Sequence, residues 1–259
     1  MQLTKRHVIP SLLLLLAALI PINAQNTDKA KSEIEVRGTY NIPSGEAVFS
    51  SSGSTGTTID FNRDFDLRKE LGFGVKYTYR TPDGKHKFSG EYDQTTWNRN
   101  TLLSRTITFL GQTYTANLNL ESDLRLSEFL GRYSYRWGNE KVRIGPMVDM
   151  GVVNTRLNVT GTTNNGQRSG TAKINKFAAT IGYDLDYDPS ERISIFHNLG
   201  AIRFKKDRLF HAEGGMKIWV NHYLGFSGGY RAQIYKLVDD DNFLKINNHG
   251  PFFGGVVRF

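Results

Sequence analysis

The stretch that most constrains this chain is its last one, Asn242 to Phe259, NFLKINNHGPFFGGVVRF. Counted back in steps of two, one parity holds Phe259, Val257, Gly255, Phe253 and Pro251; the other holds Arg258, Val256, Gly254, Phe252 and Gly250. One face is uncharged and aromatic, and the other carries an arginine. Successive side chains of a strand point to opposite faces, so this alternation describes a strand between two different environments. The chain then stops on Phe259, with no polar tail to carry that ring in water. A barrel in a bilayer accommodates this, because its outward face meets hydrocarbon and its terminal aromatic sits at an interface. Mean hydropathy is −0.42, and the body of the chain has no apolar run of about 18 residues, which excludes a bundle of membrane helices. Transmembrane strands leave a much weaker trace, because their two faces average out.

The other end reads MQLTKRHVIPSLLLLLAALIPINA. Lys5, Arg6 and His7 make a positive start, Ser11 to Ile20 is a short apolar run, and Ala24 supplies a small residue for cleavage. The run is too short for a membrane anchor, and Pro21 interrupts it. No cysteine follows, so a lipoprotein is excluded, as are disulfides and thiolate metal sites. The expected organisation is a signal peptide over residues 1–24, a disordered lead-in over 25–32 and one barrel domain over 33–259. Net charge is +8; without Lys5 and Arg6 it is +8 − 2 = +6. The basic residues are scattered singly among acids, which argues against nucleic acid. An anionic lipopolysaccharide surface is the more natural partner.

Between these ends the chain repeats one pattern. Ile34, Val36, Gly38 and Tyr40 alternate with Glu35, Arg37, Thr39 and Asn41. Leu71, Phe73, Val75, Tyr77 and Tyr79 alternate with Gly72, Gly74, Lys76, Thr78 and Arg80, and six further segments do the same. The segment Arg192 to Phe204 is the exception: Ile193 and Ile195 favour one parity, Phe196, Ile202 and Phe204 the other, so a bulge is expected. Four connections are very short, at Pro82-Asp83-Gly84, Gly138-Asn139-Glu140, Pro189-Ser190-Glu191 and Asn221-His222. They alternate with mostly longer polar ones at Ser50 to Gly56, Asn98 to Gln112 and Thr160 to Gly170, and with brief ones near Lys205 and Asp239. Short inner turns alternating with longer outer loops mark a transmembrane barrel. Four inner and five outer connections predict ten antiparallel strands in an all-β fold, the alternative being eight strands with one ribbon outside the membrane. Thr106 to Phe109 with Tyr114 to Leu120, and Thr57 to Phe65, are predicted to extend outward as ribbons. Tyr77, Tyr79, Tyr133, Tyr135, Trp137, Tyr183, Tyr187 and Phe259 fall on the outward parity near the short turns, as an aromatic girdle would.

The closing strand resembles the C-terminal strand of Gram-negative outer-membrane β-barrel proteins, which assembly machinery reads as a folding signal. TTIDF at Thr57, the tyrosine-rich strand after Arg132 and the closing GPFFGGVVRF resemble a largely uncharacterised group of such barrels. The resemblance implies residence in the bacterial outer membrane, with Phe259 as the assembly signal. The partners it implies are outer-membrane lipid, lipopolysaccharide and the barrel-assembly machinery. The protein is expected to act as a monomer without cofactor.

With the charged parity inward, the lumen receives Glu35, Arg37, Lys76, Glu91, Asp93, Glu128, Arg132, Arg143, Asp149, Asp184, His211, Glu213, Lys217 and Arg231, with Arg258 near the end. Acids and bases nearly balance. A ten-stranded barrel is only slightly wider than one that side chains can fill, so an interior closed by ion pairs is expected, in a surface structural or binding protein. Lys76 and Glu91 should stand opposite each other, each about seven residues from the turn at Asp83-Gly84. The alternative is a narrow, porin-like pore for small polar solutes. A less favoured reading is an enzyme, since some outer-membrane barrels are proteases using Asp and His and others deacylate lipid A using Ser and His. His211 and Glu213 share the inward parity, but no serine sits in a nucleophile motif. Asp239-Asp240-Asp241 lacks the spacing of a calcium loop.

Overall fold

The computed structural model describes residues 31–51, 53–163, 166–239 and 242–259. The expected signal peptide and residues 25–30 lie outside them; Lys31 and Ser32 already belong to the first strand. In chain order the strands are β1 (Lys31–Val48), β2 (Ile59–Asp60), β3 (Glu70–Arg80), β4 (His86–Leu102), β5 (Ile107–Phe109), β6 (Gln112–Tyr114), β7 (Asn119–Tyr135), β8 (Trp137–Gly138), β9 (Val142–Thr163), β10 (Gly166–Ser190), β11 (Ile193–Phe204), β12 (Asp207–Trp219), β13 (Leu224–Asp239) and β14 (Asn242–Arg258). The main sheet counts 12 strands; β2 and β8 are 2-residue pieces beside β1 and β9, so 12 − 2 = 10 strands make its wall. β1 pairs with β3 on one side and with β14 on the other, closing the antiparallel ring that the alternation predicts. At the seam, Phe259 N–H donates to Ser32 C=O at 2.9 Å and Ser32 N–H to Phe259 C=O at 3.0 Å.

The outward side chains form an apolar belt. Tyr92, Phe129, Val152 and Phe177 stand side by side on β4, β7, β9 and β10 and mark its outer edge. Val142 and Tyr187 pair near its inner edge. On β9 the belt runs from Val142 to Val152, matching the roughly 9–11 residues a tilted strand needs to cross hydrocarbon. His86, Phe88, Tyr133, Tyr135 and Trp137 contact one another in an aromatic cluster at the inner end.

Beyond Val152 the strands continue, but their faces exchange chemistry. Val153, Leu157 and Val159 point inward and are buried, while Asn154 and Arg156 face out. β10 mirrors this, with Ala172 and Ile174 inward and Lys173 and Asn175 outward; β7 adds Leu120, Leu124 and Leu126 to the inner face. The pleat is unbroken, and the surrounding medium is what changes. Next to hydrocarbon an apolar side chain belongs on the outside; next to water it belongs inside. The outer end of the barrel is therefore a cap with a hydrophobic core of its own.

Two outer connections complete that core. The segment between β1 and β3 lays Phe61 and Phe65 into it as a stacked pair, centroids 6.5 Å apart. The hairpin β5–β6 turns at Leu110 and Gly111, with φ of 50° and 75°, as a two-residue primed turn demands. Its Phe109 meets Phe49 edge-on at 5.5 Å. Both segments were predicted to reach outward as ribbons; instead they fold across the mouth. Ile59, Phe61, Ile107, Phe109 and Tyr114 are all fully buried, and an outward ribbon would have left them in water. The long ribbon is β9–β10, which stays paired out to Thr163 and Gly166. The expected loop from Thr160 to Gly170 is thus mostly strand, and β4 likewise absorbs Asn98 to Leu102. The bulge expected in Arg192 to Phe204 lies earlier, in β10 between Tyr187 and Ser190. β11 itself is regular, and its mixed signal arises because Phe196 points into the lumen.

One buried carboxylate ties the cap together. Asp64 accepts from Arg105 Nε at 2.9 Å, Arg105 Nη2 at 2.6 Å and Asp60 N–H at 2.8 Å. Burial opposes its charge, but these donors and Arg63 hold the carboxyl below its ordinary range. A carboxylate with a lowered folded pKa stabilises above the unfolded value and loses that contribution as pH falls through the folded one. The cap should therefore loosen below about pH 4, and Asp64→Asn should remove that dependence. Amide exchange of cap residues against pH reads both; an unchanged profile in the variant would discard the assignment.

Candidate functional site

The lumen is filled in layers set by strand register. Next to the inner mouth, Glu33 receives Lys217 at 2.6 Å, Arg80 at 2.5 Å and Arg258 at 3.1 Å. Lys87 bridges Asp184 at 3.0 Å and Asp186 at 3.1 Å, and Arg136 pairs with Asp186. Outside this layer lies a vestibule of about 550 Å³ open to the inner face, lined by Lys31, Arg143 and Asp188 among others.

The second layer centres on Arg37, a guanidinium with no exposed side-chain surface. It reaches Glu91 at 2.5 Å, Glu213 at 2.9 Å and Asp93 at 3.0 Å. Arg231 returns to Asp93 at 2.6 Å, Glu91 at 2.8 Å and Glu128 at 3.3 Å. Lys76 stands directly opposite Glu91 across β3 and β4, 3.6 Å away, yet lies nearer Glu213, at 3.0 Å. Arg132, Asp149 and His211 complete the layer, with Arg132–Asp149 at 2.6 Å and His211–Asp149 at 3.1 Å. Glu35 accepts from Ser227 at 2.8 Å and lies 4.0 Å from Lys217. Phe252 and Phe196 stand among these cations, with Arg37 5.3 Å from the first ring and Lys76 5.9 Å from the second. Space for these groups comes from glycine on the facing strand: a Cβ on Gly74 would stand 2.2 Å from Asp93 Oδ1.

Above the charges lies an amide layer. Asn248 donates to Asn41 Oδ1 at 2.9 Å, Asn41 donates to Thr95 Oγ1 at 2.8 Å, and Gln233 donates to Glu128 at 2.5 Å. The apolar core of the cap follows. The interior thus passes from ions through neutral dipoles to hydrocarbon. The charged groups meet opposite charges and the amides meet amide or hydroxyl partners, as buried charge and buried polarity require, although among the described residues Glu128 Oε1 and Asn248 Oδ1 accept no hydrogen bond.

Thirteen of the fourteen residues named for the lumen lie within these layers. Arg143 stands apart in the vestibule; among the described residues no ion pair holds it. Five members went unnamed: Glu33, Arg80, Lys87, Arg136 and Asp186. Their parity was inward, and nearness to a turn does not expose a side chain that a barrel encloses. Asp239 pairs with Lys176 at 2.8 Å; Asp240 and Asp241 lie outside the described residues.

A closed antiparallel barrel with a lipid-facing apolar belt and a charged interior is an outer-membrane β-barrel, and this protein is one, at home in the bacterial outer membrane. No family model and no curated protein matches the chain. Among solved structures it is similar to the outer membrane protease OmpT from Escherichia coli, at 9% identity over 88% of this chain and 96% of that one, with a TM-score of 0.52. It is also similar to Ail, the attachment invasion locus protein of Yersinia pestis (12%, 89% and 99%, 0.38), and to the Pseudomonas putida toluene transporter TodX (8%, 90% and 90%, 0.32). At these identities the likeness to OmpT is one of fold, and the other two scores carry no argument about this chain.

Proposed function

We propose that the chain is a sealed surface barrel: the ion-filled wall is an anchor, and the cap is what the protein presents. The observation that carries this reading is the stacking of an apolar core on an amide layer on a charge layer. A solute would have to break all three in turn. A pore is supported poorly, since conduction needs sites that bind an ion and also release it, and here the charges hold one another. An enzyme is supported poorly as well. The space beside His211 and Asp149 is about 10 Å³, room for one water at most, beneath the cap. The test is conductance across planar bilayers. The full chain should give no steady current above background. A variant with residues 105–115 replaced by a short Gly-Ser linker should also stay silent, because the charge layer still closes the barrel. Stepwise conductance in the unaltered protein would overturn the sealed reading in favour of the pore.

A further inference from the structure

The outer wall carries a row of cations that the fold itself does not explain. Arg125 on β7 stands directly across from Arg156 on β9, and Arg156 directly across from Lys173 on β10. All three are exposed and face away from the barrel axis. Side chains directly opposite on neighbouring strands lie about 4.5–5.5 Å apart at Cβ, where like charges repel. Among the described residues, no ion pair neutralises any of the three; Arg156 Nε donates to Asn158 Oδ1 at 3.2 Å. Asp123 shares the face but stands one row further from the membrane, and the two form no ion pair.

The height of the row is informative. The belt ends at Phe129, Val152 and Phe177. The next outward row is Ser127, Asn154 and Asn175, polar and uncharged, and the cations form the row after that. Four positions of strand at about 3.4 Å each, tilted by about 40°, place the cations roughly 10 Å above the hydrocarbon edge. Their long side chains can bend back toward the interface. Apolar side chains, then amides and a hydroxyl, then cations, succeed one another on three adjacent strands. A lipid with acyl chains, a sugar and a phosphate presents the same groups in the same order.

We infer that Arg125, Arg156 and Lys173 bind the phosphate of a phosphorylated glycolipid in the outer leaflet. Its sugar lies against Ser127, Asn154 and Asn175, and its acyl chains lie on Phe129, Val152 and Phe177. The phosphate removes the repulsion that the register builds in.

The test uses the full barrel refolded into two kinds of vesicle: phosphatidylcholine alone, and phosphatidylcholine with a bisphosphorylated lipid A-type glycolipid. The comparison is between the unaltered protein and the triple variant Arg125→Gln, Arg156→Gln, Lys173→Gln. Lys205→Gln, Lys206→Gln, on an outer turn elsewhere, is the charge control. With the glycolipid, the triple variant should retain at least about tenfold less of it on detergent extraction and should melt below the unaltered protein, given a factor of about five per basic residue at an anionic surface. In phosphatidylcholine alone the order should reverse, because the variant has lost only repulsion. That reversal cannot come from a folding defect, which would lower both melts. Equal retention by variant and unaltered protein, equal loss in the control, or full retention of a dephosphorylated glycolipid would each overturn the inference. So would displacement of the glycolipid by millimolar inorganic phosphate, which would make the row a site for the free anion.

Discussion

Replacing Arg37 by methionine should cost the barrel about 3–5 kcal/mol of unfolding free energy, the range for breaking a buried ion pair from one side. Arg37 is enclosed and holds Glu91, Asp93 and Glu213 within 3.0 Å. Methionine fills much of the volume but leaves three carboxylates to Lys76 and Arg231 alone. Arg37→Lys should fall between the two. It keeps the charge, but a point cation cannot divide itself among three acids as a planar guanidinium does. The measurement is urea unfolding of the barrel refolded in vesicles. A loss below about 1 kcal/mol for Arg37→Met would mean that water reaches the layer and screens it as at a surface, and the sealed reading would fall with it.

The same geometry changes what Lys76 and Glu91 mean. Their register is the one the turn at Asp83-Gly84 imposes, but neither is the other's closest partner. Lys76 lies closer to Glu213, and Glu91 closer to Arg37. Removing both together would restore pairwise charge balance yet leave Glu213 and Arg231 each short of a contact. The layer is one network, and its energy does not divide into pairs.

The barrel was legible because its strongest determinant is local. Alternation, turn residues and the lengths of the connections are all written in short stretches, and they suffice to give ten strands and a charged interior. The cap was not legible for a related reason. In the stretch from Thr160 to Gly170, TGTTNNGQRSG, nothing apolar marks a face, so it resembles a loop; residues 160–163 and 166–170 are strand because β9 and β10 hold each other there. Phe61, Phe109 and Tyr114 read as ordinary strand aromatics, since no sequence rule says that two successive outer connections, β1–β3 and β4–β7, will meet over the mouth. One signal was present. On β9 the apolar parity shifts from even to odd between Val152 and Val153: Val148, Met150 and Val152 face out, whereas Val153, Leu157 and Val159 face in. A lasting shift of apolar parity along a transmembrane strand marks the level at which the outer medium changes.

That level can be tested with one substitution at three places on β9. Val148→Arg, outward and near the middle of the belt, should cost about 2–4 kcal/mol, as cations on the lipid face of a barrel do. Asn154→Arg, also outward but beyond the belt, should cost almost nothing, since it meets water. Leu157→Arg, a few residues further and inward, should again cost about 3–5 kcal/mol, because it places an unpaired cation in the apolar core of the cap. The two costly variants should fail differently. Val148→Arg should weaken the whole barrel and lower its resistance to heat on a gel. Leu157→Arg should release the cap alone, with fast amide exchange over residues 105–115 and 153–175 while the barrel below keeps its heat resistance. A barrel of one kind throughout, lipid-facing to its outer rim, would instead make Asn154→Arg costly and Leu157→Arg mild, because an inward cation would then find the polar lumen continuing around it. The two patterns are opposite in sign at adjacent levels of one strand, so a single unfolding series separates them.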